Sequence, residues 1–195
     1  MTEKNKTEEF LQKLTPCIER GELEKCVEEA ARLAGEMGIG AEELLDLSMQ
    51  EGMGGKHDFT YVLALAAARG LEVEGKAIAY YNAGLAAQYL RKVEKAEEHY
   101  KLAIEADPKL AAAHYNYANL LSEQKRNDEA EQHYKLAIEA DPKYAAAHYN
   151  YANLLSEQKR NDEAEQHYKL AIEADPKYAA AHSNYAILLK EQKRN

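Results

Sequence analysis

Residues Ala111 to Tyr144 read AAAHYNYANLLSEQKRNDEAEQHYKLAIEADPKY, and residues Ala145 to Tyr178 repeat that string letter for letter. A looser copy, AIAYYNAGLAAQYLRKVEKAEEHYKLAIEADPKL, begins at Ala77, and a half copy, AAAHSNYAILLKEQKRN, runs from Ala179 to the C-terminus. The period is 34 residues. A fixed period of this size confines the chain to a solenoid, in which each unit buries its apolar face only by stacking on its neighbours. Identity at every position of two copies also means that the copies are recent or engineered, because silent changes accumulate at exposed sites of an old duplication.

Within one unit, Tyr117, Ala118, Leu120 and Leu121, and then Ala130, Tyr134, Ala137 and Ile138, fall at helical three-and-four spacing. Two amphipathic helices follow from that spacing. The EQKRND stretch between them offers Asn127 or Asp128 as the cap that receives the free amide hydrogens of the second helix. Asp141-Pro142 ends that helix, since proline lacks an amide hydrogen and disfavours helical geometry in the residue before it. The unit is a helical hairpin.

At this level of detail the repeats resemble the tetratricopeptide repeat family. With Ala111 as position one, the family's small residues at positions eight and twenty correspond to Ala118 with Ala130, and in the flanking units to Gly84 with Ala96 and Ala152 with Ala164. Its aromatic at position twenty-four is matched by Tyr100, Tyr134 and Tyr168, its alanine at twenty-seven by Ala103, Ala137 and Ala171, and its proline at thirty-two by Pro108, Pro142 and Pro176. Two departures stand out: His114, His148 and His182 replace the large aromatic usual at position four, and Lys125 and Lys159 replace the usual turn glycine. The resemblance implies an all-α, right-handed solenoid of stacked antiparallel hairpins, with repeats at 77–110, 111–144 and 145–178 and a capping half repeat at 179–195.

Residues 1–76 carry the pattern more loosely. A helix interrupted near Pro16, a turn at Gly21 and a second helix from about Glu22 form one hairpin, whose GELEKC fragment resembles the start of the family's second helix. A short helix from Ala41, the EGMGGKHD connector and FTYVLALAAARG form another. Both are expected to cap the array. Cys17 and Cys26 lie outside any paired-ligand spacing and read as small core residues in a reducing compartment, with no metal site and no cofactor. The first residues, MTEKNKTEEF, carry charge where a secretory leader needs an apolar run, and Tyr61 to Ala68 is too short to cross a bilayer. A cytoplasmic protein is expected.

Chemistry is hard to find in the sequence. The GMGGKHD loop lacks the spacing, the hydroxyl after the lysine and the preceding strand of a phosphate-binding loop. The histidines at positions 99, 114, 133, 148, 167 and 182 form a ladder because the unit duplicates, and His114 and His133 can meet across a hairpin without a third ligand for zinc. No nucleophile with a partnered base stands out, so catalysis is not expected. An enzyme would need a polar pocket around His57 and Asp58.

A net charge of −9 argues against nucleic acid and anionic membranes as partners. What remains is protein binding. The resemblance places positions two, five, six, nine, twelve and thirteen of each unit in a concave groove: Ile78, Tyr81, Asn82, Leu85, Gln88 and Tyr89, then Ala112, Tyr115, Asn116, Asn119, Ser122 and Glu123, then Ala146, Tyr149, Asn150, Asn153, Ser156 and Glu157. Asn82, Asn116, Asn150 and Asn184 form a ladder of amides, each offering a donor and an acceptor to the backbone of an extended peptide. The alternative is that these amides join one repeat to the next. The ladder is similar to that in the repeats of O-linked N-acetylglucosamine transferase, without a transferase domain in these 195 residues. The Lys or Arg positions with which the family grips a chaperone's C-terminal carboxylate are not filled. A peptide-binding scaffold is therefore expected, or alternatively a structural, self-assembling repeat module with no specific ligand. In the last helix Tyr185, Ala186, Leu188 and Leu189 are expected to stay partly exposed and to favour a homodimer.

Overall fold

The structure, a computed structural model, describes residues 3–192. Among them are eleven α-helices and no strand. One compact unit, residues 1–108, holds α1 (Glu3–Glu19), α2 (Leu23–Met37), α3 (Ala41–Met53), α4 (His57–Ala68), α5 (Val73–Tyr89) and α6 (Val93–Ala106). The other, residues 109–195, holds α7 (Ala111–Glu123), α8 (Asn127–Ala140), α9 (Ala145–Glu157), α10 (Asn161–Ala174) and α11 (Ala179–Gln192). In the first unit α1 packs on α2, α3 on α4 and α5 on α6, and α4 also contacts α5. In the second, α7 pairs with α8 and α9 with α10, while α8 contacts α9 and α10 contacts α11. Each unit is a stack of helical hairpins.

The small positions explain how the hairpins close. Ala96, Ala118, Ala130, Ala152 and Ala164 are fully buried, as are Tyr100, Tyr134 and Tyr168 of the second helices, at 0–3% exposure. Gly84 is the tightest case, since a Cβ there would sit 2.8 Å from the buried Tyr100 ring. Position nine of this repeat is Leu85, which cannot accept a hydrogen bond, and the Tyr100 hydroxyl donates to Gln88 Oε1 at 2.8 Å. An alanine in a helix interior normally improves on glycine by up to about 1 kcal/mol. Here the sign should reverse: Gly84→Ala is expected to destabilise the first unit by about 1 to 3 kcal/mol, read as a lowered midpoint in urea.

The turns show where the repeats depart from the family pattern without changing the backbone. Gly21, Gly38 and Gly55 have positive φ, and so do Arg91, Lys125 and Lys159 at +61°, +64° and +65°. After α7 the Lys125 amide bonds to the Ser122 carbonyl and the Arg126 amide to the Leu121 carbonyl, the paired closure that a left-handed residue makes possible. The glycine conformation is thus kept by lysine against the steric penalty of its Cβ. Lys125→Gly and Lys159→Gly should each stabilise by about 1 kcal/mol, which a thermal melt of the double variant would register as a higher Tm.

Several expectations need correction. α1 runs through Pro16 without interruption, because Phe10, Leu14, Cys17 and Ile18 keep one buried helical stripe across the proline. α3 extends to Met53, shortening the connector to residues 54–56. Neither Asn127 nor Asp128 caps α8: the helix starts at Asn127, Arg126 takes the cap position and no side chain caps it. Cys17 and Cys26 are not free thiols. The turn at Gly21 brings their Cα atoms to 5.7 Å, and they form a buried disulfide between α1 and α2. In α11 Leu188 is buried rather than partly exposed; Ala186 is exposed and Tyr185 and Leu189 are half-buried as expected, and Ile187 beside them is exposed as well.

Candidate functional site

The first helices carry the residues singled out as a groove. In the second unit they form a hydrogen-bonded lattice. Asn150 donates through Nδ2 to the Tyr115 hydroxyl at 3.0 Å and to Asn119 Oδ1 at 2.9 Å, and Asn119 Oδ1 also accepts from the Tyr134 hydroxyl at 2.6 Å. The next repeat duplicates this, with Asn184 donating to the Tyr149 hydroxyl and Asn153 Oδ1, and Tyr168 donating to Asn153. These amides join α9 to α7 and α11 to α9. The side chains are half-buried, and each lattice leaves two groups open: the carbonyl oxygen of Asn150 or Asn184 accepts from no described residue, and the Tyr115 or Tyr149 hydroxyl, already an acceptor, keeps its own hydrogen. Asn116 bonds back to the Ala112 carbonyl of its own helix at 3.1 Å. Tyr115 and Tyr149 also pack on the rings of Tyr144 and Tyr178, 4.9 and 5.0 Å away. Asn153 and Asn184 line a cleft of about 370 Å³ with Ile187, Tyr168 and Glu157.

In the first unit the corresponding positions behave differently. Asn82 is buried and reaches Ser48 Oγ of α3 at 3.4 Å, and Tyr81 is half-buried against Tyr100. Tyr89 is 61% exposed and stacks on His57 with ring centroids 4.2 Å apart and planes within 4°. Asn82 and Tyr89 line a cleft of about 510 Å³ between α3 and α5, walled mainly by Met49, Met53, Leu85 and Ala86, with His57 and Thr60 at its α4 side. Met53 is 84% exposed. The sequence reading named Tyr89 and Asn82 but missed Met49 and Met53, since their helix belongs to a hairpin too divergent to be set in the repeat's register. Hydrophobic spacing along α3, with Leu44, Leu45 and Leu47 buried beside two methionines that are not, is the signal that could have shown them.

The remaining polar clusters serve packing. His148 and His167 meet at 3.0 Å through their Nδ1 atoms, as His114 and His133 do at 2.9 Å. His148 must donate its Nε2 hydrogen to the Pro142 carbonyl, 3.2 Å away, so its Nδ1 is the acceptor of the pair and His167 the donor. Burial, and then the neighbouring His148, push His167 down to about 4. Burial also lowers His99, which sits against Tyr61. Burial alone would raise Glu131, yet hydrogen bonds from Arg160, Lys135 and Tyr151 hold its carboxyl down at about 2 and tie α8 to the following hairpin. Among the described residues no group of three His, Cys, Asp or Glu side chains is placed to hold a metal ion. His57 is engaged with Tyr89, and Lys56 of the same loop pairs with Glu51 at 2.8 Å.

These hairpins define a helical-repeat protein with a side chain lattice along its first helices. Tetratricopeptide repeat profiles match residues 81–145 and 123–187. Together they span more than half of the chain, and it belongs to the tetratricopeptide repeat family, with that family's all-α solenoid fold. Similar solved structures include MamA, 21% identical over 82% of this chain and 92% of its own with a TM-score of 0.65. YrrB, described as a tetratricopeptide repeat protein with an unusual peptide-binding site, is 19% identical over 90% of this chain and 89% of its own, TM-score 0.63. The first such domain of Spaghetti (RPAP3), bound to the HSP90 peptide SRMEEVD, is 20% identical over 62% of this chain and 95% of its own, TM-score 0.59. At these identities the likeness is one of fold. No curated protein sequence matches the chain. No described helix is long and apolar enough to cross a membrane.

Proposed function

We propose that the chain is a non-enzymatic scaffold that holds an extended segment of a partner protein on its first-helix faces. The observation that carries this is the pairing of open groups in each lattice, one carbonyl acceptor on Asn150 or Asn184 and one hydroxyl donor on Tyr115 or Tyr149. An extended backbone presents one donor and one acceptor per residue and fits such a pair whatever its side chains. The HSP90 peptide bound to the Spaghetti (RPAP3) domain and the peptide-binding site named for YrrB, both of similar fold, support this reading. The net charge of −9 disfavours nucleic acid as the partner.

The test is a random peptide library displayed against the intact chain. Enriched peptides should tolerate side chain changes, lose about tenfold in affinity when alternate backbone amides are N-methylated, and shift the resonances of Tyr115 and Tyr149. A library that enriches nothing would favour the alternative, a structural module without a specific ligand. So would peptides indifferent to methylation. A homodimer through α11 is a second reading, favoured by Ile187 at 56% exposure next to the exposed Ala186. Such a dimer, being apolar, should persist in sedimentation at high salt, and Ile187→Lys should dissolve it.

A further inference from the structure

The charge of this protein is carried by one of its units. Residues 1–108 hold thirteen Lys and Arg against twenty-one Asp and Glu, a net of −8, whereas residues 109–195 hold twelve against thirteen. In the acidic unit two depressions adjoin and share Asp46 and Gln50. One is the α3–α5 cleft of about 510 Å³, an apolar socket walled by Met49, Met53, Leu85 and Tyr89 with no Lys or Arg in its lining. The other is a trough of about 620 Å³ whose lining includes Glu8, Glu42, Glu43, Asp46 and Glu51, again without Lys or Arg. Lys6 approaches Glu43 at 3.9 Å and Lys56 holds Glu51. Among the described residues no cation pairs with Glu8, Glu42 or Asp46.

Each depression alone would say little. Their adjacency constrains the occupant on two counts. Apolar surface as exposed as Met53 and Tyr89, at 84% and 61%, is left uncovered by the chain itself and gains by being covered. Methionine side chains adapt to anchors of different shape. The unpaired carboxylates beside the socket attract cations and repel acidic segments and anionic membranes. A small apolar molecule would fill the socket and leave those carboxylates unanswered.

We propose that the α3–α5 socket and its acidic trough bind a short partner segment that presents one large apolar side chain flanked by Lys or Arg. This rests on the reading that the chain holds partner segments on its first-helix faces, and assigns to the acidic unit the choice among them. The socket takes the anchor, and Glu42, Asp46 and Glu8 receive the flanking cations. The buried Asn82 and Ser48, hydrogen-bonded at the socket floor, fix α5 on α3 and so set its width.

The probes are fluorescein-labelled peptides of about ten residues with a central Leu or Met between lysines, titrated against the intact chain by fluorescence anisotropy. Replacing the anchor by Ala should weaken binding about tenfold or more. Replacing the lysines by glutamates should abolish it, and raising the salt from 50 to 500 mM should weaken it several-fold, as expected for exposed charges. Glu42→Lys with Asp46→Lys should remove the preference for basic flanks, and Met49→Ser with Met53→Ser should remove the preference for Leu over Ala. All four positions are exposed, so circular dichroism should be unchanged. Three results would overturn the proposal: an anchor change without effect, which means charge attraction alone; charge reversal without effect, which means a general apolar site; or no binding by the basic series at all. If that series fails while library peptides still shift Tyr115 and Tyr149, only the selectivity of the acidic unit falls and the groove reading stands.

Discussion

Between about pH 6.5 and pH 4 the second unit should lose stability, and His167→Gln should remove much of that loss. In the unfolded chain an imidazole titrates near 6.5, whereas in the folded unit His167 is held down to about 4 by burial and by the facing His148. Above pH 6.5 both states hold this ring neutral and it contributes no pH dependence. As the pH falls through 6.5 the unfolded chain takes up a proton that the folded unit refuses, and the difference grows until the folded pKa is reached. A displacement from 6.5 to about 4 sets an upper bound of about 3 kcal/mol, which solvent screening of this partly exposed ring reduces. Burial lowers His148 as well, so the loss belongs to the pair, and the two rings will titrate jointly. Glu163 and Lys135, the other charges that act on His167, oppose one another. The carboxylate window lies lower: Glu131, held down to about 2 in the fold, costs stability only as the pH falls from about 4.5 to about 2. Urea midpoints at pH 7, 6, 5 and 4.5 therefore isolate the histidines. A His167→Gln midpoint that falls as steeply as that of the parent chain would show that burial of this ring is not what opposes the proton.

That pair also marks how far the sequence could be read. The period and the hairpin followed from spacing, and the small positions from the resemblance to the family; Ala118, Ala130, Tyr134 and Ala137 are buried as their spacing required. The meeting of His114 with His133 was also legible, since positions four and twenty-three face each other across any antiparallel hairpin of this length. Individual partners were not. Whether Asn150 turns outward or toward Tyr115 and Asn119 depends on how closely one repeat approaches the next, which no position within a repeat encodes.

The divergent hairpins were harder for a different reason. Pro16 looked like a helix stop because proline removes a hydrogen bond, yet the stripe of Phe10, Leu14, Cys17 and Ile18 buries enough apolar surface to carry the helix past it. Cys17 and Cys26 were weighed against metal-ligand spacings, when the relevant geometry was that of a hairpin turning at Gly21. The α3–α5 cleft combines both difficulties, because Met49 and Met53 come from one hairpin and Leu85 and Tyr89 from the next. Pairing across hairpins requires a register, and residues 41–68 repeat nothing.

Asn119→Leu should destabilise the second unit by roughly 2 to 4 kcal/mol, and adding Ser122→Gln should recover part of it. The substitution removes one acceptor and strands two donors: the hydroxyl of Tyr134, a side chain only 3% exposed, and one hydrogen of the Asn150 amide. A buried hydroxyl left without a partner costs about 1 to 3 kcal/mol, and the half-buried amide bond adds about 0.5 to 1.5. The first unit shows how the loss can be repaired. There position nine is already leucine, Leu85, and the equivalent Tyr100 hydroxyl donates instead to Gln88 at position twelve. Ser122 holds position twelve in the second unit, so glutamine there offers Tyr134 the same acceptor. Repair should be incomplete, because the Tyr100 ring that donates to Gln88 lies where a Cβ on Gly84 would come within 2.8 Å, whereas the equivalent position of the second unit is Ala118, whose methyl group would hinder such an approach by Tyr134. Adding Ala118→Gly should then improve the double variant while destabilising the parent chain, where the extra backbone freedom gains nothing in return. Urea midpoints of the five chains, the parent, Ala118→Gly alone and the single, double and triple variants, would decide it, and a triple variant no better than the double would mean that the tyrosine's reach and the glycine beside it are unconnected.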